Sequence, residues 1–140
     1  MEKFRFLDIT TADVAFEAYG KTLEELFENS ALAMFEVMVN TSKVECKEKK
    51  KIKIEALDLE SLLFDWLNEL LVYYGSENLV FSKFEVKIDK EKFKLQAYAC
   101  GEKTDPIKHE VKTEVKAATY HRMKVWKEDD IWKARVILDI

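Results

Sequence analysis

Glycine, proline, cysteine and histidine are scarce in this sequence of 140 residues, which has three glycines, one proline, two cysteines and two histidines. Three glycines are too few for a glycine-rich loop that cradles phosphates. Neither a Gly-x-Ser-x-Gly nucleophile elbow nor a His-Glu-x-x-His zinc motif occurs. His109 and His121 stand outside any motif, and we expect each to be a surface or strand histidine. The sequence therefore does not look like that of an enzyme.

The cysteines and the apolar runs exclude further classes. Cys46 and Cys100 lie far apart without a Cys-x-x-Cys pair, so we expect two buried small hydrophobic residues and not a disulfide. No apolar run reaches the ~18 residues that span a bilayer. The first residues, "MEKFRFLDI", alternate and carry charge, unlike a signal peptide. We expect a cytoplasmic protein without a membrane partner.

The overall composition is that of a folded and slightly acidic protein. Apolar residues make up 48% and aromatic residues 12% of the chain, enough for a full core. The length predicts one domain, residues 1–140. The net charge of −4 argues against a protein that grips nucleic acid over a broad surface by itself.

Two segments have the three- and four-residue apolar spacing of amphipathic helices. Before the first segment, Thr22 stands three residues ahead of Glu25, which is the spacing of a capping box. Asp58 can cap the second helix, and Gly75 is predicted to be its left-handed carboxyl-terminal stop. The apolar faces of both helices, including Trp66, are predicted to pack in the core.

The remaining segments alternate between apolar and polar residues, as half-buried strands do. Gly75 is followed by a strand at 84–88, a turn and a partner strand at 93–99, and "EVKAATYHRMKVW" pairs with "IWKARVILDI" around "KEDD". The fold class predicted is α+β, with two amphipathic helices packed on a mainly antiparallel sheet of about six strands in a two-layer sandwich.

Carboxylates are the most informative polar residues. The last predicted strand, "WKARVILDI", ends in two neighbouring negative charges. The Asp139 side chain and the α-carboxylate of Ile140 are close together by covalent connection. Asp13 stands at the mouth of an early strand, where a turn carboxylate is the simplest interpretation. Asp105 precedes the only proline, and Glu102 shares the polar loop "GEKTDPIKHE".

Several strings spread along the chain together resemble the archease family. They are "TADV", "LEELFENSALAMF", "LLFDWLNELL", "EVKAATYH" and the terminal "ARVILDI", in that order and over nearly all residues. The sequence departs from the family at Thr10, where many relatives have a histidine before Thr-Ala-Asp.

The resemblance implies an accessory protein, not an enzyme, that activates a GTP-dependent tRNA-splicing RNA ligase. Such proteins promote guanylylation and multiple turnover of the ligase, which joins 2′,3′-cyclic-phosphate or 3′-phosphate RNA ends to 5′-hydroxyl ends. RNA would be met only indirectly, through the ligase. A chaperone or modulator of a tRNA-modifying enzyme such as a tRNA methyltransferase is the alternative. A small metal-dependent hydrolase is a third interpretation, although no suitable nucleophile or base stands near the acidic residues in sequence.

The resemblance also implies a divalent metal, calcium in type, bound by Asp13, Asp139 and Ile140. If these residues meet, two unit charges ~4 Å apart repel by about 4 kcal/mol at an effective dielectric of 20. Such a cluster must be protonated, splayed apart or neutralised by a cation. Oxygen ligands suit Ca²⁺ or Mg²⁺ and do not select Zn²⁺.

Loops on a rigid scaffold are where binding residues concentrate. We therefore expect "GEKTDPIKHE" and "TEVKAATYH" to border the metal site and to form the working surface. Lys116 is the leading candidate for a charged contact with the acidic cluster or the ligase. Glu102, Asp105 and Glu114 are the further candidates on this surface.

Overall fold

The computed structural model describes residues 1–10 and 12–140, so Thr11 of the Thr-Ala-Asp motif lies outside the described residues. In the described part, seven strands and two α-helices follow one another along the chain. They are β1 (Phe4–Leu7), β2 (Val14–Gly20), α1 (Leu23–Met38), β3 (Glu48–Glu55), α2 (Leu59–Glu77), β4 (Leu79–Asp89), β5 (Lys94–Lys103), β6 (Ala117–Glu128) and β7 (Ile131–Asp139).

The strands form two antiparallel sheets, of order β1-β2-β7-β6 and β3-β5-β4. Both helices contact both sheets, and one apolar cluster joins all of them. The predicted α+β class is confirmed. The sheet is divided in two, and the described residues contain seven strands where about six were expected.

Glutamates of the two helices occupy backbone groups at the sheet edges. Glu28 of α1 accepts a hydrogen bond from the Val86 N–H at 3.0 Å, and Glu60 of α2 accepts one from the Val125 N–H at 2.9 Å. These N–H groups lie on β4 and β6, which are edge strands of their sheets. An N–H that already donates to a glutamate cannot pair with another strand. The two glutamates therefore block further strand pairing at these points of each sheet edge.

Both helices begin where the sequence predicts. The Thr22 hydroxyl accepts from the Glu25 N–H at 3.1 Å, while the Glu25 carboxylate accepts from the Lys21 N–H at 3.3 Å. At the second helix, Asp58 and Ser61 form a reciprocal capping box. Side-chain oxygens thus satisfy free N–H groups in the first turn of each helix.

The predicted end of the second helix is wrong. Helix α2 continues through Gly75 to Glu77, and the left-handed position is taken by Asn78, with φ 58°. The Asn78 N–H donates to the Tyr74 carbonyl oxygen at 3.1 Å. Asparagine is one of the few residues besides glycine that adopts this conformation readily, so the helix had a second stop signal three residues later.

The expectation for the cysteines is also wrong, because Cys46 and Cys100 form a disulfide. The segment before β3 runs beside β5, as the hydrogen bond from the Lys47 N–H to the Gly101 carbonyl at 2.9 Å shows. The two Cα atoms are 5.0 Å apart although 54 residues separate them in sequence. Cys100 is buried but Cys46 is exposed, so Cys46 does not act as a core residue.

Trp66 lies in the centre of the core, as predicted. Its side chain is 0% exposed, and its indole N–H donates to the Phe27 carbonyl at 3.0 Å. The bond satisfies the one polar group of a large buried side chain. None of the described helices is long and apolar enough to cross a membrane.

Candidate functional site

Asp13 and Asp139 occupy opposing positions at one end of the four-stranded sheet. The antiparallel register pairs Val14 with Leu138, so the next position places Asp13 opposite Asp139. Asp13 is half-buried and Asp139 is exposed. The Asp13 N–H donates to the Thr10 hydroxyl at 3.4 Å. The register therefore brings together two carboxylates that are 126 positions apart in the chain.

Lys116 and Ile140 meet at the same end of the sheet. The register of β6 and β7 pairs Ala117 with Asp139, and the next position places Lys116 opposite Ile140. The Lys116 N–H donates to the Asp139 carbonyl at 2.8 Å. The Ile140 side chain packs against the core, whereas the Lys116 side chain is exposed. Four of the residues singled out in the sequence thus lie side by side.

The chemistry of this end fits a hard divalent cation. Asp13 and Asp139 supply side-chain carboxylates, and Ile140 can supply an α-carboxylate, so every donor is an oxygen. Within residues 1–10 and 12–140, no group of three or more His, Cys, Asp or Glu side chains is arranged to hold a metal ion. A site here would therefore need its third anionic ligand from the main-chain terminus.

Glu102, another predicted surface residue, is 6% exposed and is surrounded by donors. Its carboxylate accepts from the Glu45 N–H at 2.6 Å and from the Lys108 ammonium at 3.0 Å, and lies 3.1 Å from the His109 ring nitrogen Nε2. Burial alone would raise the pKa of the Glu102 carboxyl, but the hydrogen bonds from Glu45 and Lys108, the neighbouring His109 ring and the lysine charge lower it from 4.5 to about 2. The charged carboxylate on β5 therefore joins the backbone at Glu45 to the side chains of Lys108 and His109 in the following loop.

His109 is neither a surface nor a strand histidine, contrary to expectation. It is 0% exposed and lies in the loop between β5 and β6. Its Nδ1 accepts from the Asp105 N–H at 2.9 Å, so the ring proton is on Nε2, which faces Glu102 without a well-aligned hydrogen bond. The Asp105 side chain, which is exposed, accepts from the Ile107 N–H at 3.1 Å and shapes the turn. The local signal for this turn in the sequence is the Asp105–Pro106 pair, which does not predict the burial of His109.

The loop of residues 104–116 connects the two clusters. Its backbone is hydrogen-bonded to the end of α1 and to the residues after it. The Asn40 N–H donates to the His109 carbonyl oxygen at 2.8 Å, and the Lys112 N–H donates to the Met38 carbonyl oxygen at 2.8 Å. From there the loop reaches Lys116 at the sheet end. The Glu102 cluster therefore holds one end of this loop, and Asp139 holds the other.

The middle of this loop exposes apolar side chains. Ile107 is 91% exposed and Val111 is 47% exposed. Glu114 is exposed nearer the sheet end, and its charge, after burial, raises the pKa of Tyr74. A fixed loop with exposed apolar and charged side chains has the composition of a contact surface. Sequence reasoning did not single out Ile107, because exposure of one isoleucine has no sequence signature.

A depression of mixed polar and apolar lining lies elsewhere, at one end of the three-stranded sheet. It has a volume of about 780 Å³ and a mixed lining that includes Lys53, Lys87, Glu24 and Asp89. Neither Asp13 nor Asp139 borders it.

A scan against protein families matches residues 4–140 to the Archease protein family (MTH1598/TM1083). The chain belongs to the archease family. An archease of Sulfurisphaera tokodaii is 51% identical over 140 residues, which span the whole of both chains. An archease of Pyrococcus abyssi is 53% identical over 133 residues, covering 93% of this chain and 94% of the relative.

Solved structures agree with this archease assignment. The solution structure of Methanobacterium thermoautotrophicum protein 1598 has a TM-score of 0.87, 51% identity and full coverage of both chains. The crystal structure of an archease from Thermotoga maritima, described as a possible chaperone, has a TM-score of 0.65 and 25% identity and covers 94% of this chain and 93% of that one.

Proposed function

We propose that this archease-family protein activates a GTP-dependent tRNA-splicing RNA ligase. It promotes guanylylation of the ligase and its multiple turnover in joining 2′,3′-cyclic-phosphate or 3′-phosphate RNA ends to 5′-hydroxyl ends. The ligase performs the bond-making. Family membership supports the proposal, and the observation that carries it is the meeting of Asp13, Asp139, Ile140 and Lys116 at one sheet end.

The proposal includes a divalent cation, calcium in type, held by Asp13, Asp139 and the α-carboxylate of Ile140. Three anionic oxygens at one strand end repel one another, and a bound cation neutralises that repulsion and fixes the end of β7. The residues themselves have separate tasks. The packed Ile140 side chain anchors the terminus against the core, and the Lys116–Asp139 backbone bond holds the neighbouring strand.

The ligase contacts this end and the adjacent loop of residues 104–116. Lys116 offers an exposed positive charge, and Ile107 offers an exposed apolar side chain on a loop held by backbone hydrogen bonds at both ends. A loop that is already ordered loses little conformational entropy on binding. Glu102 and Asp105 act by shaping this loop, and Glu114 is a charged neighbour on it.

The direct test of this function is guanylylation of the ligase. Purified ligase is incubated with labelled GTP, with and without this protein, and covalently bound label is measured over time. The proposal predicts faster and more complete labelling in its presence, whereas bovine serum albumin at equal concentration has no effect. Equal labelling with either protein would refute a role in guanylylation.

A second candidate is a chaperone or modulator of a tRNA-modifying enzyme such as a tRNA methyltransferase. It is favoured by the description of the Thermotoga maritima archease as a possible chaperone. This candidate predicts that the protein raises the solubility or activity of the methyltransferase without affecting ligase guanylylation. Measuring both effects with one preparation separates the two functions.

A further inference from the structure

The outward face of the three-stranded sheet is rich in lysine. Lys49, Lys51 and Lys53 alternate along β3, and Lys83 and Lys87 lie on β4, with all five side chains exposed. Side chains two positions apart on a strand are about 7 Å apart and point to the same face. The alternation therefore places these lysines together on the solvent side, while residues such as Ile52 face the core.

The register arranges these residues in rows across β3, β5 and β4. The rows are Lys49–Cys100–Lys83, Lys51–Tyr98–Glu85 and Lys53–Gln96–Lys87. We call this surface the lysine face. It holds five lysines and one carboxylate, although the whole protein has a net charge of −4. The following row, Glu55–Lys94–Asp89, has two carboxylates and marks the end of the lysine face.

Protection of sheet edges does not account for all these lysines. Lysine is common on edge strands because it discourages pairing with other chains. On β4, however, the N–H groups of Val86 and Ile88 are already bonded to glutamates of α1, at 3.0 and 3.3 Å. Lys83 and Lys87 are therefore not needed to block that edge there. In the described part of the chain, none of the five lysines has a carboxylate within 4.0 Å.

An exposed aromatic side chain lies in the middle of the lysine face. Tyr98, on the central strand, is 38% exposed. The Lys49 ammonium is 5.9 Å and the Lys51 ammonium 6.0 Å from the centre of its ring. Positive charges that follow a backbone, together with an aromatic ring on which a base can stack, are the features that bind single-stranded nucleic acid. An acidic protein partner would account for the lysines but does not by itself require an aromatic ring among them.

We propose that the lysine face binds single-stranded RNA, with its lysines on the phosphate backbone and Tyr98 stacked on an unpaired base. This goes beyond the proposed function, in which the ligase handles the RNA. It also revises the expectation from net charge, because binding depends on the local field and not on the total. The site consists of the rows defined above and includes neither Asp13, Asp139 nor Lys116.

Fluorescence anisotropy with a labelled oligouridylate of about 12 nucleotides tests the proposal. At low salt, the double variant Lys51→Ala/Lys53→Ala should bind at least about fivefold more weakly than the wild type, because it loses two phosphate contacts. The slope of log affinity against log salt should fall in magnitude by about 1.4. The matched control is Lys3→Ala/Lys21→Ala, which removes the same charge from exposed lysines outside the lysine face.

The aromatic position gives a second comparison. Tyr98→Ala should weaken binding about fivefold or more, whereas Tyr98→Phe keeps the ring and should bind as the wild type does. Thermal melts confirm that each variant is folded. Absence of wild-type binding at low salt, or equal losses in the lysine-face and control variants, would overturn the proposal. Binding of acidic proteins but not of RNA would also overturn it.

Ligase stimulation is measured separately with the same variants. Normal RNA binding without any stimulation of the ligase would contradict the proposed function and leave the RNA site supported. Stimulation of the ligase without RNA binding would contradict the RNA site and leave the proposed function supported. The two proposals therefore fail independently.

Discussion

The backbone N–H of Lys116 donates a hydrogen bond to the carbonyl oxygen of Asp139 at 2.8 Å. This bond joins the end of the loop of residues 104–116 to the end of β7. On its other side, β7 pairs with β2, whose register leads to Asp13. One backbone hydrogen bond thus connects the strand that carries the terminal carboxylates to the loop that we propose contacts the ligase.

Modification of the chain end should weaken metal binding. A carboxyl-terminal tag converts the Ile140 carboxylate into a neutral amide and removes one of three negative ligands. Calcium affinity in oxygen sites depends on ligand charge, so we expect at least about tenfold weaker binding by calorimetry. Asp13→Asn and Asp139→Asn should have similar effects without unfolding the protein.

Two variants control for this result. Ile140→Val keeps the carboxylate and an apolar anchor, and should bind calcium as the wild type does. Asp129→Asn makes the same charge change at the opposite end of the β6–β7 hairpin and should also leave calcium binding unchanged. Full calcium binding by the tagged protein would show that the terminus is only the end of a strand.

Replacement of Lys116 should separate activity from stability. Its side chain is exposed, and its bond to Asp139 is made by the backbone N–H, which alanine keeps, so Lys116→Ala should change stability by less than about 0.5 kcal/mol. We expect ligase guanylylation to slow at least about fivefold. The control is Lys127→Ala, which lies near the far end of β6. Guanylylation at the wild-type rate in Lys116→Ala would remove this residue from the contact surface.

Glu102 should make stability depend on acid pH. Its pKa is lowered from 4.5 to about 2 in the folded protein, so the folded state favours the charged form. This contribution is fully present above the unfolded pKa and is lost as the pH falls through the folded pKa. Glu102→Gln should therefore destabilise the protein at pH 7 by about 1.5–3 kcal/mol, since it removes charged hydrogen bonds.

Urea denaturation at pH 7 and at pH 3 measures this difference. The gap between wild type and Glu102→Gln should be smaller at pH 3, where part of the wild-type contribution is lost. Glu114→Gln, which changes an exposed carboxylate, should show almost no gap at either pH. An unchanged gap at both pH values would show that the Glu102 charge does not stabilise the loop.

Trp66 tests the core in the same assay. Trp66→Ala removes a fully buried ring and its hydrogen bond to Phe27, and should lower the free energy of unfolding by roughly 3–5 kcal/mol. Trp66→Phe keeps most of the ring and should lose less. A loss below 1 kcal/mol for the alanine variant would contradict the central position of this side chain.

Local signals explain which parts of the fold could be predicted from sequence. Thr22 and Asp58 are caps whose partners lie three residues away, and both helix starts were correct. Near the end of α2 the sequence has two possible stop residues, Gly75 and Asn78. The helix includes Gly75 and ends before Asn78. Glycine within a helix weakens it only moderately, so a later residue that accepts the left-handed conformation can provide the stop.

Long-range pairing explains what could not be predicted. The Cys46–Cys100 disulfide depends on the path of the segment before β3 along β5, and no spacing rule gives that path. The burial of His109 likewise depends on Glu102, which a different part of the backbone holds in place. Composition and periodicity do not contain such contacts.

The candidate site likewise combines a local feature, which the sequence predicts, with a long-range contact, which it does not. Asp139 and Ile140 are adjacent by covalent connection, but the place of Asp13 beside them depends on the pairing of β2 with β7. The family resemblance supplied that expectation, and the register agrees with it. Metal binding at this end remains a prediction, as does contact with the ligase.

The measurement that tests the central claim most directly is RNA ligation with substrate in large excess over the ligase. The product formed per ligase molecule is measured in three reactions. One contains the wild-type archease-family protein, one contains the Asp139→Asn variant, and one contains neither protein. We predict many turnovers with the wild type, about one turnover without it, and a marked loss with Asp139→Asn. Equal turnover in the presence and absence of the wild-type protein would contradict the account.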